Sequence, residues 1–342
     1  MARQHIDAVD YHAAGEPFRI VHAGRGAVPD LPGATVADRR EAAQAPGAEI
    51  DRFRRLLVRE PRGHRDMYGG FIVPPNPVQD GDAAAEFGVV FWHQDGYSTA
   101  CGHGTMALGA WAVETGLVPA PAGGNGAVTV RIDVPSGRVE ALVRVLDGGV
   151  ADVEFVNVPS FSLQLDVTVA TSRGEVTADL SWGGAVYAEV HAADLGLGII
   201  PDHYAELVAI GREIKWALND HPAARCAYNE RFSGVYGTIL FDRSGGDPLH
   251  QRNLVVFADG QADRSPCGSG MAARCATLST RGLLRPGQTL RHDSIIGTTF
   301  TATIEELPDG VRPHIVGRST HTATTTFVVD DRDELPEGLT LR

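Results

Sequence analysis

The chain has 342 residues, 43% of them hydrophobic and 21% charged, and a formal net charge of −13. This length and composition are typical of a soluble protein with about two domains, each large enough for its own core. The acidic balance offers no electrostatic basis for binding nucleic acid or an anionic membrane. No apolar run reaches the roughly 18 residues that a membrane span needs, so we expect none.

The first residues and the cysteine count indicate a reducing compartment. Residues 1–7 lack the apolar run of a signal peptide, and four cysteines are too few for a disulfide framework in a chain this long. Lys215, the only lysine, follows Ile214, which rules out a phosphate-binding P-loop. It also has no glycine-rich neighbours, which argues against a pyridoxal Schiff base. We therefore expect a cytoplasmic protein that does not use pyridoxal phosphate.

Runs of β-branched residues alternate with a few helical patterns and with glycine and proline turns. Strands are predicted at 6–11, 18–22, 89–92, 128–134, 139–146, 153–158, 185–190, 237–241, 254–257, 299–304 and 325–329. Helices are predicted at 49–58, 101–115, 204–218 and 267–280. The loop predicted at 159–162 marks a candidate domain junction.

One motif occurs twice, half a chain apart. Cys101-Gly102-His103-Gly104 opens the first copy and Cys267-Gly268-Ser269-Gly270 opens the second. Each cysteine is followed by alanine at +6 and by Gly-Leu at +15 and +16, and upstream residues 15–23 resemble residues 184–192. The repeat indicates two like modules that present two thiols to one shared site, an arrangement suited to chemistry on both faces of one carbon.

From this repeat we expect an α+β protein with two pseudo-symmetric domains. The second module ends near residue 325, so the last strand is expected to return to the first domain. The predicted domains are residues 1–160 with 325–342, carrying Cys101, and residues 161–324, carrying Cys267. The active site is predicted in the cleft between them.

Both cysteines are predicted in the first turn of a helix. Ser265-Pro266-Cys267 fits the N-cap, N1 and N2 positions, and Thr99-Ala100-Cys101 has the same register. The positive end of the helix dipole would lower the thiol pKa and favour the thiolate. Two such helix ends facing each other would bind a carboxylate between them.

The cysteines have three other interpretations. A lone buried cysteine is often a small inert hydrophobe, which is what we expect of Cys226 and Cys275. Cys101, His103 and Cys267 could meet at a zinc ion, although their spacing is weak for a structural site. A Cys–His hydrolase would leave the second, equivalent cysteine unexplained.

The sequence closely resembles the proline racemase family over nearly its whole length. The most specific matches are Cys-Gly-His-Gly-Thr at 101–105 and Asp-Arg-Ser-Pro-Cys-Gly-Ser-Gly at 263–270, and residues 10–17, 60–69 and 294–297 also match. The resemblance implies the diaminopimelate-epimerase-like fold. In that fold each domain is a curved, mostly antiparallel sheet wrapped around a central helix.

The resemblance also implies a two-base mechanism without cofactor or metal. One of Cys101 and Cys267, as thiolate, would remove the Cα proton of a pyrrolidine-2-carboxylate, and the other, as thiol, would protonate the opposite face. His103 and Asp263 would contact the ring nitrogen, although Asp263 could instead be only a turn residue ahead of the helix. The expected substrate-binding positions at the helix starts are Gly102, His103, Gly104, Gly268 and Ser269.

Two features of the sequence point to different reactions within this family. Cys267 favours a racemase or epimerase, because the dehydratases typically have threonine or another residue there. Residues 96–101 and 60–69 look more like the dehydratase branch. The predicted activity is inversion of proline or 4-hydroxyproline, with trans-3-hydroxy-L-proline dehydration as the alternative.

Further expectations concern the partners and the pocket. A catalytically silent metabolite-binding relative and a redox-sensing thiol pair are the other functional classes considered. The expected partner is a small-molecule substrate, and a homodimer is a common assembly for an enzyme of this size. The candidates for the wall that contacts the ring substituent are His93, Tyr97, Trp182 and Tyr187.

Overall fold

The structure, a computed structural model, describes residues 4–78, 83–226, 229–330 and 332–341. Residues 1–3, 79–82, 331 and 342 of the first predicted domain, and residues 227 and 228 of the second, lie outside the described ranges. The strands of the first half are β1 Gln4–Ala13, β2 Glu16–His22, β3 Tyr68–Val73, β4 Phe87–His93, β5 Gly96–Tyr97, β6 Gly126–Val134, β7 Gly137–Leu146 and β8 Gly149–Val156. Those that follow are β9 Phe161–Thr171, β10 Gly174–Trp182, β11 Val186–His191, β12 Val235–Arg243, β13 His250–Phe257, β14 Gln261–Asp263, β15 Leu290–Ser294, β16 Thr299–Leu307, β17 Gly310–Gly317 and β18 Ser319–Val329.

The helices are few, and two of them lie inside the sheet. Their bounds are α1 Val36–Gln44, α2 Glu49–Val58, α3 Gly102–Glu114, α4 Tyr204–Leu218 and α5 Gly268–Thr280. Within the described ranges, no helix combines the length and the apolar character needed to cross a membrane. The protein is thus an α+β structure dominated by its strands, as predicted.

Hydrogen bonds join the strands into one continuous, mostly antiparallel sheet. The spatial order is β18-β1-β2-β3-β4-β6-β7-β8-β17-β16-β15-β13-β12-β11-β10-β9, with β5 beside β4 and β14 beside β13. The parallel pairs are β2–β3, β4–β6, β11–β12 and β13–β15.

The order of pairing in β1 to β8 is repeated in β10 to β17. Each series has its two parallel pairs at the same steps, and each places its buried helix after the short fifth strand. The two series meet where β8 pairs with β17, and β18 covers β1 as β9 covers β10. We propose that β1–β8 with β18 form one unit and that β9–β17 form the other.

Seven strands were not predicted, namely β3, β5, β9, β10, β14, β15 and β17, and α1 was also missed. Residues 161 and 162, predicted as loop, begin β9, and the strand predicted at 325–329 is only the second half of β18. The first half of β18 is rich in threonine and largely exposed, so it lacks an apolar alternation. In β3, Gly69 and Gly70 weaken the strand pattern, but a Cβ there would come within 2.3 Å of Trp92 and 2.5 Å of Val89.

The two central helices are enclosed by the sheet. All residues from Gly102 to Val113 in α3 and from Gly268 to Leu278 in α5 are buried. A helix that is buried on every side needs mostly apolar or small residues all round, and both sequences have them apart from His103 in α3 and Arg274 in α5. α3 packs on β1, β2, β6, β7, β8 and β18, whereas α5 packs on β9, β10, β11, β16 and β17. The N-termini of the two helices therefore meet at the junction of the two units.

Candidate active site

Cys101 and Cys267 are the N-cap residues of α3 and α5, so their predicted N2 position is wrong. Cys101 has extended dihedral angles, φ −157° and ψ 104°, and its Sγ accepts a hydrogen bond from the Gly104 amide at 3.2 Å. Cys267 has φ 62° and ψ 103°. Neither conformation is helical, and the Cys101 sulfur takes the capping role that a serine or threonine oxygen usually has.

Ser265, predicted as the cap of α5, instead shapes the turn before it. Its Oγ accepts the Cys267 amide at 3.1 Å. Asp263 Oδ1 in turn accepts hydrogen bonds from the Ser265 amide at 2.8 Å and from its hydroxyl at 2.7 Å. Asp263, the last residue of β14, therefore holds the turn that precedes α5, and its other carboxylate oxygen faces His103.

His103 and Asp263 meet across the junction of the two units. His103 Nδ1 lies 4.0 Å from Asp263 Oδ2, and both side chains are buried. Both ring nitrogens of His103 lie 3.5 Å from Cys101 Sγ. Burial lowers the pKa of His103 to about 4, against the opposing effect of the Asp263 charge, so the imidazole is neutral near pH 7.

The amides at the two helix starts differ in their roles. Gly102, His103, Gly268 and Ser269 lie in first turns, where backbone amides have no intrahelical acceptor. The Gly104 amide is already used by the Cys101 sulfur. The Ser269 hydroxyl pairs with the Tyr187 hydroxyl at 2.7 Å, which ties the start of α5 to the strand β11.

The predicted lowering of the thiol pKa by the helix N-termini is wrong. Burial raises the pKa of Cys101 well above its usual range, the Gly104 amide opposes this, and the charges of Asp263 and Glu16 add to it. Burial and the Asp263 charge likewise raise the pKa of Cys267. The cysteines are only 4% and 5% exposed, so desolvation of the thiolate outweighs the helix dipole. Both cysteines are therefore thiols near pH 7 in this closed site.

Glu16 is a site residue that sequence reasoning did not single out. It is fully buried, and its Oε2 accepts the Arg264 amide at 2.9 Å and lies 3.0 Å from Arg264 Nε. Its Oε1 is buried without a hydrogen-bond partner. Burial and the charge of Asp263 raise the pKa of Glu16 well above its usual range. The signal was available, because residue 16 lies in the matching segment 10–17 and corresponds to Ala185 in the second module.

An aromatic wall closes the site on another side. It consists of Tyr68, His93, Tyr187, Tyr236 and Phe257, whose rings contact one another at centroid distances of 5.7 to 6.0 Å. The Tyr68 and Tyr236 hydroxyls are 3.0 Å apart, and Tyr68 also pairs with the Ser98 hydroxyl.

Of the four predicted wall residues, the structure places His93 and Tyr187 in this aromatic wall. Trp182 stacks between Phe161 and Phe232 in a separate core, and Tyr97 packs beside Arg54. Tyr68 and Tyr236 were missed because a lone tyrosine in a strand gives no signal of which strand lies opposite it.

Outside the aromatic wall lies a cavity of about 280 Å³, lined by residues of both units that include His93, Ser98, Tyr236 and Lys215 but neither site cysteine. The wall therefore separates the two thiols from the cavity. Across the described ranges, no group of three or more His, Cys, Asp or Glu side chains has a geometry that could hold a metal ion.

The repeated sheets around two buried helices, with a cysteine at the start of each helix, define an α+β protein of the diaminopimelate-epimerase-like class. The chain matches the Proline racemase family over residues 8–340 and belongs to that family. It is therefore an enzyme of a family whose members include epimerases and dehydratases.

Three similar proteins illustrate these activities. The chain is 40% identical to trans-3-hydroxy-L-proline dehydratase of Burkholderia cenocepacia and 39% identical to 3-hydroxyproline 2-epimerase of Burkholderia multivorans, with 98% of each chain covered in both cases. A solved hydroxyproline epimerase of Agrobacterium vitis with bound trans-4-OH-L-proline has a TM-score of 0.86 and 29% identity, covering 98% of this chain and 96% of that one.

Proposed function

We propose that the protein inverts Cα of a hydroxyproline without a cofactor, with Cys101 and Cys267 as the two proton-transfer groups. The observation that carries the proposal is the pair of thiols that cap two helices whose starts touch. Inversion requires proton removal from one face of a carbon and proton delivery to the other. Two thiols at the starts of two helices that touch can serve as the two groups, whereas a single base would not suffice.

The substrate carboxylate fits the first-turn amides of the two helices. Backbone donors of Gly102, His103, Gly268 and Ser269 carry the positive ends of both helix dipoles. Negative charge builds up on the carboxylate as the Cα proton leaves, and preorganised donors stabilise that charge more strongly in a dry site. These amides would therefore stabilise the transition state as well as bind the substrate.

The ring nitrogen, as a positively charged secondary ammonium, fits beside Asp263 and His103. Its charge would offset the Asp263 carboxylate, which contributes to the raised pKa of both thiols. Substrate binding would thereby lower the thiol pKa and make a thiolate accessible. In the forward direction one cysteine takes the Cα proton while the other gives its own, and the roles exchange in reverse.

The relatives favour a 3-hydroxyl on the ring, whereas the sequence predicted proline or 4-hydroxyproline. Two relatives of about the same similarity are named for 3-hydroxyproline, one as an epimerase and one as a dehydratase. We therefore propose 3-hydroxyproline as the preferred substrate of the inversion.

Dehydration of trans-3-hydroxy-L-proline is the second candidate. It is supported by the name of the relative that is 40% identical. In that reaction one thiolate removes the Cα proton and becomes a thiol, the C3–O bond breaks, and the leaving hydroxyl takes up that proton and departs as water. Only one cysteine is then needed, so Cys267 would have no role as the second base.

Proton NMR in D2O separates the two candidates. The purified protein is incubated separately with proline, trans-4-hydroxy-L-proline and trans-3-hydroxy-L-proline, without added cofactor. Loss of the Cα proton together with the opposite Cα configuration is the expected result, strongest with the 3-hydroxy compound. Formation of a pyrroline carboxylate instead would establish the dehydratase, and no reaction with any of the three would overturn both candidates.

A further inference from the structure

A chain of buried polar side chains leads from the sheet to the peptide just before Cys267. We call it the polar chain, and its members are Glu189, Arg274, Gln251, His292 and Asn253. Arg274 Nη1 donates to Glu189 Oε2 at 2.8 Å, and its Nε donates to Gln251 Oε1 at 3.0 Å. His292 Nε2 lies 3.2 Å from the same Gln251 oxygen, and its Nδ1 lies 3.2 Å from Asn253 Nδ2. Asn253 Nδ2 ends the chain by donating to the Pro266 carbonyl at 2.8 Å.

This last hydrogen bond acts on the backbone that sets the direction of the Cys267 side chain. The peptide between Pro266 and Cys267 is held at both ends. Its carbonyl accepts a hydrogen bond from the Asn253 side chain, and its amide donates one to Ser265 Oγ at 3.1 Å. The next carbonyl, that of Cys267, accepts the Met271 amide at 2.8 Å. With the peptide groups on both sides of its Cα fixed, Cys267 has little freedom in φ or ψ.

Cys267 requires such support because its φ of 62° is unfavourable for a residue with a side chain. Backbone strain of this kind persists only where the surrounding structure over-determines it, and it is common at functional sites. Cys101, the matching residue of the first unit, has φ −157°, an extended conformation that any residue adopts. The two cysteines are therefore held in different ways.

Among the described residues of the first unit, the positions that match Arg274, Glu189 and Asn253 hold no polar side chain. Leu108 follows Cys101 at the same distance as Arg274 follows Cys267, and Ile20 matches Glu189 in the repeat. The hairpin β4–β5 matches the hairpin β13–β14. Val89 lies four residues before the end of β4, as Asn253 lies four residues before the end of β13. All three side chains are buried and apolar. The polar chain thus belongs to one of the two cysteines, although the fold around both is the same.

We propose that the polar chain is a positioning device for Cys267 alone, which holds that cysteine in its strained conformation so that its sulfur faces the substrate. Its members are positioning residues, since none of them reaches the substrate. The inference rests on the proposed two-base function. Loss of the Asn253 bond would let the Pro266–Cys267 peptide rotate and Cys267 relax to negative φ, whereas Cys101 would be unaffected.

The test measures proton exchange at each cysteine separately. Cys101→Ser leaves exchange of the Cα proton to Cys267, and Cys267→Ser leaves it to Cys101. Asn253→Val, which installs the residue of the first unit, should slow exchange about 10- to 100-fold in the Cys101→Ser background, a range that corresponds to release of such strain. In the Cys267→Ser background it should change exchange less than about threefold.

Two further variants guard against a general loss of stability. Thr238→Val removes a buried hydrogen bond of the same unit, from the Thr238 hydroxyl to the Gly211 carbonyl at 2.9 Å, outside the polar chain. It should leave exchange unchanged in both backgrounds. Arg274→Lys keeps a positive charge beside Glu189 but lacks the planar Nε donor to Gln251. It should also slow proton exchange at Cys267, but by a smaller factor than Asn253→Val does.

A second readout needs no catalysis. Alkylation by iodoacetamide, followed by peptide mass spectrometry, should change in rate at Cys267 and not at Cys101 when Asn253→Val is made in the otherwise unaltered chain. Equal effects on the two cysteines, or none on either, would overturn the inference while leaving the proposed function intact. An unaltered enzyme that inverts none of the three substrates would instead overturn the proposed function, before any variant is made.

Discussion

Gly102 and Gly268 bring the two helix starts into direct backbone contact. A Cβ built on Gly102 would lie 2.5 Å from the Gly268 Cα, and one built on Gly268 would lie 2.6 Å from the Gly102 Cα. The glycines at +3 have another purpose, since a Cβ on Gly104 or Gly270 would come within 2.8 or 2.9 Å of the sulfur in its own motif. The repeated glycines thus allow two positive helix ends and two thiols to share one small volume.

Gly102→Ala should therefore damage the site even though alanine favours helices. The added methyl must push the two helix starts apart, and a displacement of about 1 Å at an active site can cost about 100-fold in rate. We expect kcat/KM for inversion to fall by about that factor. Gly149→Ala is the matched control, because its Cβ would meet no atom closer than 3.8 Å. Normal activity of Gly102→Ala would mean that the contact is not needed for catalysis.

Cys101→Ser and Cys267→Ser should each reduce inversion by about 100- to 10,000-fold, the usual contribution of a general acid or base. Each variant should still exchange the Cα proton of one enantiomer, followed by NMR in D2O. Cys275→Ala, at a buried cysteine further along α5, serves as the control and should keep its activity. If Cys267→Ser inverted its substrate at the normal rate, the two-base assignment would be wrong.

Asp263→Asn should lower the pKa of both site thiols, because the Asp263 carboxylate raises them in the unaltered protein. The measurement is the pH dependence of iodoacetamide alkylation at Cys101 and Cys267 without substrate, with Asp309→Asn, a substitution at an exposed turn, as the control. Inversion by Asp263→Asn should nevertheless fall, because the partner of the ring ammonium is lost. An unchanged alkylation profile would show that the Asp263 charge does not act on the thiols.

The burial of His292 in its neutral form should make the folded protein lose stability in mild acid. Burial lowers its pKa to about 3, so it stays neutral in the folded chain while the unfolded chain takes up a proton below about pH 6.5. The folded state therefore loses stability as the pH falls from about 6.5 towards 3, by up to about 1.4 kcal/mol per pH unit from this group. His93 and His103 act in the same direction, whereas Glu16 and Glu189, whose pKa values are raised, act in the opposite one.

A difference between variants isolates the His292 contribution. Urea unfolding at pH 7, 6 and 5 should show that His292→Gln loses less stability on acidification than the unaltered protein. The slopes of the free energy of unfolding against pH should differ by the amount that corresponds to about one proton. His5→Gln, at an exposed position, should follow the unaltered protein. Parallel pH slopes for His292→Gln and the unaltered protein would contradict the buried, neutral state of His292.

Local patterns were sufficient to predict much of the fold. The helices at 49–58 and 204–218 coincide with α2 and α4, because their apolar spacing and end residues are local properties. The strands that were missed carry glycine, threonine or charge at positions whose suitability depends on the neighbouring strand. Gly69 in β3 is an example, since it is explained only by the Trp92 ring across the sheet.

The sequence by itself determined that two cysteines, each followed by glycines, begin two buried helices in a repeated α+β architecture. Only the tertiary structure decided that both cysteines are N-caps, that Gly102 touches Gly268, and that the polar chain ends on the peptide just before Cys267. It also reversed the expected shift of the thiol pKa. A helix dipole is a local property that a sequence reveals, whereas desolvation and the approach of Asp263 depend on residues brought together from distant parts of the chain.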